Sequence, residues 1–385
     1  MHKIKIWLSS PHIGINELHF VNEAFSTNWI APLGPNVNAF EQGLQIQTKS
    51  SHAAALSSGT SAIHLALILL GVKQGDNVFC QSMTFSASAN PIAYQGANPV
   101  FIDSESETWN MDPELLKTAL LEAKEMDQLP KAIIPVHLYG MPAKMDEIIS
   151  VAKEFNIPVI EDAAEALGSN INNKPCGSYG EFGVLSFNGN KIITTSGGGA
   201  LLSNNAEIIE KARFLATQAR DAAPHYQHSH IGYNYRMSNI LAGIGRGQLE
   251  VLADRVEARR ANYNRYVSYF SRLNEKGFNI KFQEEPVGYY SNRWLTCILV
   301  EPKLNNGLTR EIIRLALDAE NIESRPLWKP MHQQPVFANC LSYINGVSDK
   351  LFENGLCLPS GSNLTDEDFD RIFDCLDVIF DNYLK

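Results

Sequence analysis

Ala53-Ala-Ala-Leu-Ser-Ser-Gly-Thr-Ser-Ala62 joins a short apolar strand to a helix through a turn of small residues, and Gly71 stops that helix after Leu70. A helix entered this way leaves backbone N–H groups free at its positive end, with the hydroxyls of Thr60 and Ser61 beside them. The turn therefore suits a phosphate. Serine and threonine also cap helices that bind nothing, and both readings stand at this point.

The same alternation continues downstream. Asn77 to Cys80, Pro99 to Asp103, Ala132 to Val136 and Pro158 to Ile160 read as strands. Ser86 to Tyr94, Asp112 to Lys124 and Met145 to Phe155 read as the helices between them. Strand and helix in turn predict an α/β domain with a mostly parallel sheet, whose ligands sit at the carboxyl ends of the strands. Thr84-Phe85, His137, Asp162 and Ser186 through Lys191 all fall just after strand-like runs. No GxGxxG follows the first strand, so a dinucleotide fold gains no support.

Two of these positions carry chemistry. Gly183-Val-Leu-Ser-Phe-Asn-Gly-Asn-Lys191-Ile-Ile-Thr-Thr-Ser-Gly-Gly-Gly199 places Lys191 between an apolar strand and a Gly-rich turn. Shielding there disfavours the ammonium and leaves a nucleophilic amine, whereas a lysine snorkelling at a strand end stays charged. Asp162, after Ile157-Pro-Val-Ile160, needs a partner for a carboxylate at the end of a buried strand. The following Ala-rich segment, read as a helix it caps, or a cationic ring nitrogen would each supply one.

At 385 residues the chain predicts two units, taken as a large domain over 1–250 and a smaller α+β domain over 251–385. The small one holds strands at Asn279 to Phe282 and Trp294 to Val300 and helices at Arg310 to Ala319 and Asp366 to Leu384. Leu249 to Leu273 reads as a long connecting helix. Thirty-two basic against 42 acidic residues, a net charge of -10, argue against a nucleic-acid or acidic-membrane partner. Six cysteines lack CxxC spacing, and no segment reaches membrane-spanning length, so a cytoplasmic, reducing compartment is expected. His225, His228 and His230 lack accompanying Cys or carboxylate ligands, and no metal is expected.

A shielded lysine, a phosphate turn, a strand-end carboxylate and an aromatic after another strand are what an aldehyde cofactor with a phosphate tail requires. Pyridoxal 5'-phosphate fits all four. The chain also resembles the sugar aminotransferases of the DegT/DnrJ/EryC/StrS group, which share the fold type I of aspartate aminotransferase. The resemblance rests on Pro11-His-Ile-Gly-Ile-Asn16, Asn28-Trp-Ile-Ala-Pro-Leu-Gly-Pro35, Ser58-Gly-Thr60 and Glu161-Asp-Ala-Ala-Glu-Ala-Leu-Gly168. It continues through Ser186-Phe-Asn-Gly-Asn-Lys191, Gly232-Tyr-Asn-Tyr-Arg-Met-Ser238 and Arg325-Pro-Leu-Trp-Lys-Pro-Met-His332.

The resemblance implies a mixed, mostly parallel sheet sandwiched by helices, with Lys191 as the Schiff-base lysine and Asp162 as partner of the pyridine nitrogen. It implies that Phe85 stacks on the ring and that Thr60, Ser61 and Ser186 hold the phosphate. Asn234 joins them from a second subunit, so that a homodimer shares its active sites. Glu165 stands near the cofactor where many relatives carry Gln or His. Thr195-Ser-Gly-Gly-Gly199 replaces the more usual Thr-Gly-Glu-Gly-Gly, a variant shared with relatives making bacillosamine-type sugars. Trp29, Gly34, Arg236 and His332 are expected around a nucleotide-linked sugar, with L-glutamate as amino donor. A GDP-linked keto-sugar, amination at the third carbon, a dehydratase and a cofactor-binding regulator without turnover are the competing expectations. The dehydratases of the group carry histidine in place of the lysine.

Overall fold

The computed structural model describes residues 3–384. Helices α1 (Glu17–Ser26) and α2 (Pro35–Thr48) lead into β1 (His52–Leu56), α3 (Gly59–Leu69), β2 (Asn77–Gln81), α4 (Asn90–Tyr94) and β3 (Asn98–Ile102). Then follow α5 (Pro113–Glu125), β4 (Ala132–Ile134), α6 (Met145–Glu154) and β5 (Ile160–Asp162). A small hairpin, β6 (Asn170–Ile171) with β7 (Lys174–Pro175), precedes β8 (Phe182–Ser186) and β9 (Gly199–Ser203).

These strands form one mixed sheet. Two four-stranded ladders, β1-β9-β8-β5 and β4-β2-β3 with a late strand β14 (Ser342–Tyr343), are joined by parallel bridges between Ile133 and Val159 and between Val136 and Asp162. Only β9 runs against its neighbours. Helices cover both faces, which is why the strands are apolar nearly throughout. The two-residue period of β1 shows this directly. Ala54 and Leu56 pack with α3 and with α7 (Ala206–Ala216), while Ala53 and Ala55 face Val37, Phe40 and Leu44 of α2.

Two boundaries differ from the sequence expectation for local reasons. The segment expected as a helix over Ser86 to Tyr94 begins with turns and becomes helical only at Asn90, because Pro91 lacks an N–H and belongs in a first turn. The connecting helix expected from Leu249 is α9 (Leu252–Glu275), which starts after Val251, because Leu249 still belongs to the preceding helix α8 (Asn239–Glu250).

Downstream, β10 (Ile280–Phe282), β12 (Thr296–Val300), β13 (Arg325–Pro326) and β15 (Gly355–Leu358) make an antiparallel sheet in the order β10-β12-β15-β13, and β11 (Tyr289–Tyr290) pairs with β6. Residues of α9, α10 (Arg310–Ala319) and α12 (Asp366–Asp381) close a second core over it, including Tyr266, Phe270, Ile298, Leu356, Phe369 and Phe380; α11 (Val347–Asn354) precedes β15. Two long-range pairings join early and late parts of the chain: Ile6 bridges Ile322, and β14 adds to the edge of β3. Among the described residues no helix is long and apolar enough to cross a membrane.

The parallel strands point their carboxyl ends to one edge. β1 ends before Ser57–Thr60, β2 before Ser82–Phe85, β5 in Asp162 and β8 in Ser186.

Candidate active site

A cavity of about 730 Å³ opens at this edge, and Thr60, Phe85, Asp162, Glu165, Ser186 and Lys191 all line it. Its first wall is the start of α3. Ser58 caps the helix by accepting from the Ser61 N–H at 3.0 Å, and the Ser61 hydroxyl lies 2.7 Å from the Ser58 hydroxyl and 3.0 Å from that of Ser57. Ser61 thus braces the turn from behind, and Thr60 faces the cavity. The turn lies against β9 so closely that a Cβ on Gly199 would stand 2.3 Å from the Gly59 nitrogen and the Ser58 carbonyl carbon. Only a residue without a side chain fits there.

Asp162 is buried at the end of β5. Its Oδ2 accepts from the Ser88 hydroxyl at 2.6 Å and its Oδ1 from the Ala164 N–H at 3.1 Å. No helix follows for it to cap, since residues 163–168 form successive turns. Those turns bring Glu165 back toward the cavity. Its Oε2 accepts from the Tyr139 N–H at 2.7 Å, and its Oε1 accepts from Lys191 Nζ at 3.1 Å. Burial pushes the Glu165 carboxyl up to about 7, against the pull of the Lys191 charge and the Tyr139 N–H.

The Lys191 side chain is 11 % exposed and turned inward, with Nζ over the Trp294 ring at 4.2 Å from its centre. It does not snorkel into water. Trp294 in turn donates from Nε1 to the Asn190 carbonyl at 2.7 Å and so fixes the loop carrying the lysine. Trp328 extends this wall, its ring 5.6 Å from Phe85 and 5.1 Å from Tyr139. Phe85 itself is 57 % exposed, an open aromatic face at the cavity.

The remaining sequence candidates lie elsewhere. Asn234 and Trp29 are exposed and do not line this chain's cavity. Gly34, at φ 151°, precedes α2, where a Cβ would meet the Asn239 side chain at 2.4 Å. Arg236 was expected beside a sugar-nucleotide but is buried, donating from Nη1 to Glu41 Oε1 at 2.9 Å and to the Ala55 carbonyl at 3.1 Å. A buried carboxylate at Glu41 claims that guanidinium. His332 sits between the Ser82 hydroxyl at 2.7 Å and Asp349 Oδ1 at 2.9 Å, also off the cavity lining.

Sequence reading missed Trp294, Glu323 and the N-terminal residues Trp7 and Leu8, all of which line the cavity. Trp294 opens an apolar run, a weak signal. Trp7 and Leu8 reach the site only because residue 6 pairs with residue 322, which no local pattern announces.

Residues 11–377 match the DegT/DnrJ/EryC1/StrS aminotransferase family. EpsN of Bacillus subtilis (strain 168), assigned as a pyridoxal phosphate-dependent aminotransferase, is 55% identical over 99% of this chain and 97% of its own. GDP-perosamine synthase of Caulobacter vibrioides is 37% identical over 97% of this chain and 98% of its own. Among solved structures, the PLP form of Spr1654 from Streptococcus pneumoniae, assigned as a sugar aminotransferase, superposes with a TM-score of 0.88 at 28% identity, covering 99% of this chain and 100% of that one. With a family match spanning nearly its whole length, the chain belongs to the DegT/DnrJ/EryC1/StrS aminotransferase family.

Proposed function

We propose that this pyridoxal phosphate-dependent sugar aminotransferase moves the amino group of L-glutamate onto a nucleotide-linked 4-keto-6-deoxy sugar of the UDP-N-acetylglucosamine type, for surface-glycan assembly. The observation that carries the reading is Lys191 Nζ held 3.1 Å from Glu165 in a cavity that also holds the open end of α3 and the Asp162 carboxylate.

The residues present fit the cofactor. Gly199 lets the turn at Ser58–Thr60 sit against β9, and the turn and Ser186 line the cavity together, a helix start and hydroxyls of the kind a phosphate requires. Phe85 offers a face to a flat ring, and Asp162, oriented by Ser88 and Ala164, offers a carboxylate to a ring N–H. When bound, pyridoxal phosphate supplies an aldehyde that condenses with amines and a protonated ring that accepts an electron pair.

This chain's own groups do the rest. Lys191 Nζ would hold the aldehyde in the resting enzyme and, when free, would be the amine placed to take up and return the proton of the donor α-carbon. Glu165 Oε1 receives the Lys191 ammonium and steadies it between strokes. Asp162 would accept from the ring N–H and so favour its protonated form. Trp294 and Trp328 keep water from the amine. Lys191 would serve as the same proton carrier when the amino group passes to the keto-sugar.

Asn234 and the exposed loop at Trp29 and Gly34 are assigned to the cavity of a second copy, making a homodimer the working unit. Arg236 and His332 are assigned a positioning role through Glu41 and Asp349. We take the chain as two units dividing near residue 250, acting in the cytoplasm, where its six free thiols are at home.

A second reading has its own support: the similarity to GDP-perosamine synthases favours a GDP-linked 4-keto-6-deoxymannose as acceptor. Purified protein with pyridoxal phosphate and L-glutamate should convert the bound cofactor to its amine form and release 2-oxoglutarate, and the Lys191→Ala variant should not. UDP- and GDP-linked keto-sugars then compete as acceptors for the loaded amine. A protein that binds the cofactor and releases no 2-oxoglutarate would instead be a regulator, a dehydratase or an enzyme with another donor.

A further inference from the structure

Arg259 is buried on α9 at 1 % exposure, and all three groups that accept from it are neutral. No carboxylate pairs with it among the described residues. Burial, and then the nearby charge of Arg255, pull the guanidinium down to about 9, so it remains a cation at neutral pH. A buried cation held only by neutral acceptors is costly, and an apolar side chain of similar volume fills such a place more cheaply. What the guanidinium provides instead is direction, because its planar fork donates along several fixed lines at once.

Those lines reach three separate segments. Nη1 donates to the Trp294 carbonyl, shortly before β12, and to the Ser360 carbonyl at 3.3 Å, shortly after β15. Nη2 donates to the Ser9 hydroxyl at 2.9 Å, in the N-terminal segment. Two of the three segments go on to one atom. The Ser9 hydroxyl donates to the Asn190 carbonyl at 2.7 Å, and Trp294 donates to the same oxygen from Nε1 at 2.7 Å. That carbonyl is bonded to the backbone nitrogen of Lys191, whose Nζ rests over the Trp294 ring. Arg259 therefore stands behind both donors to the Asn190–Lys191 peptide and behind the ring on which the amine lies. Its donation into the Ser9 oxygen also polarises the Ser9 O–H toward Asn190. Every member of this clamp belongs to one chain.

We propose that Arg259 is a positioning residue for the catalytic lysine: through Ser9 and Trp294 it fixes the Asn190–Lys191 peptide and so the place of the Lys191 amine. The proposal rests on the transaminase reading above for the amine's task, and on the clamp alone for its position.

The test compares full-length wild type with Ser9→Ala, Arg259→Met, Arg259→Lys and the double Ser9→Ala/Arg259→Met variant. Tyr269→Phe, which loses a hydrogen bond to Asp377 in the second core, controls for a general loss of stability. In protein freed of cofactor, acylation of Lys191 by acetic anhydride is followed by mass spectrometry against the exposed Lys276 and Lys303 of the same chain. Release of the clamp lets the amine leave the ring, and its rate should rise roughly 3- to 10-fold in Arg259→Met. In the loaded enzyme kcat should fall about 10- to 100-fold, with KM for glutamate within about two-fold of wild type. Arg259→Lys should recover part of both, since a point charge lacks the fork. Ser9→Ala should change both less than Arg259→Met does, because Trp294 still holds the carbonyl, and should add nothing further in the Arg259→Met background. Tyr269→Phe should move neither. A folded Arg259→Met with wild-type labelling and kcat, a change confined to KM, or Ser9→Ala and Arg259→Met effects that simply add would each overturn the proposal. Should Arg259→Met fail to fold, Ser9→Ala decides alone: faster Lys191 labelling supports the clamp, and labelling equal to wild type overturns it. Labelling needs no turnover and so keeps the two readings apart. A wild type that never converts with glutamate sinks the transaminase reading, whereas conversion together with unmoved Lys191 labelling across the variants sinks only this one.

Discussion

Replacing Glu165 by glutamine should change how stability depends on pH, and the direction follows from where the carboxyl sits. Burial lifts it from the ordinary 4.5 to about 7, so between those values the folded chain holds a proton that the unfolded chain has released. Stability contributed by the neutral carboxyl is then complete below about pH 4.5 and is lost as the pH rises through about 7. A span of roughly 2.5 pH units at 1.36 kcal/mol each gives about 3 kcal/mol, most of it falling between about pH 5 and pH 8. Glutamine is neutral at every pH and keeps an oxygen for the Tyr139 N–H. Relative to wild type, Glu165→Gln should therefore gain roughly 2 to 3 kcal/mol on going from about pH 5 to pH 8. Urea denaturation of both proteins, freed of pyridoxal phosphate so that no cofactor charge intrudes, measures the difference directly. A carboxylic C=O stretch that titrates near neutrality in the wild type and is missing from the variant would identify the group. Parallel pH profiles for the two proteins would refute the reasoning, because the carboxyl would then be ionised at its ordinary value despite its burial.

Asp162→Asn should retain bound pyridoxal phosphate while turnover falls by about 100-fold or more, read as kcat, since the ring N–H loses its carboxylate. Arg236→Met should destabilise the protein by about 2 to 4 kcal/mol in urea, because Glu41 keeps only Arg213 and the Ala55 N–H as partners; the surviving enzyme should show an unchanged KM for glutamate. Gly199→Ala should cost about 1 to 3 kcal/mol and weaken pyridoxal phosphate binding together, since its Cβ would push into Ser58 and Gly59. Equilibrium dialysis with the cofactor checks the second effect.

Much of this was readable in advance because local rules and global architecture agree. The strand–turn–helix at residues 53–62, the apolar runs before Asp162 and Lys191, and the helix over Arg310–Ala319 each satisfy their own periodicity without help from distant residues. What escaped depends on long-range pairing. The antiparallel β9 lies within a Gly-rich run that carries no strand signal at its start, and its place between β1 and β8 is set by where Gly59 and Gly199 can approach. Arg236 looked like a ligand-binding residue because it stands in an aromatic, polar cluster; its partner, Glu41, is far away in sequence and cannot be inferred from spacing. Trp294, just before β12, and Trp328, just after β13, come to one wall only because both strands pair with β15.

The edge strand β14 has a consequence for how the chain comes off the ribosome. Ser342 and Tyr343 cover the outer side of β3, opposite Phe101 and Ile102, yet they are translated some 240 residues later. At roughly 5 to 20 residues per second, β3 would wait about 10 to 50 s with its N–H and C=O groups uncovered. An uncovered, apolar edge is a template for pairing with another nascent chain. Two nascent chains made side by side are therefore exposed to such pairing during that interval, and truncation before residue 342 should yield aggregate from the very part of the chain that holds Lys191.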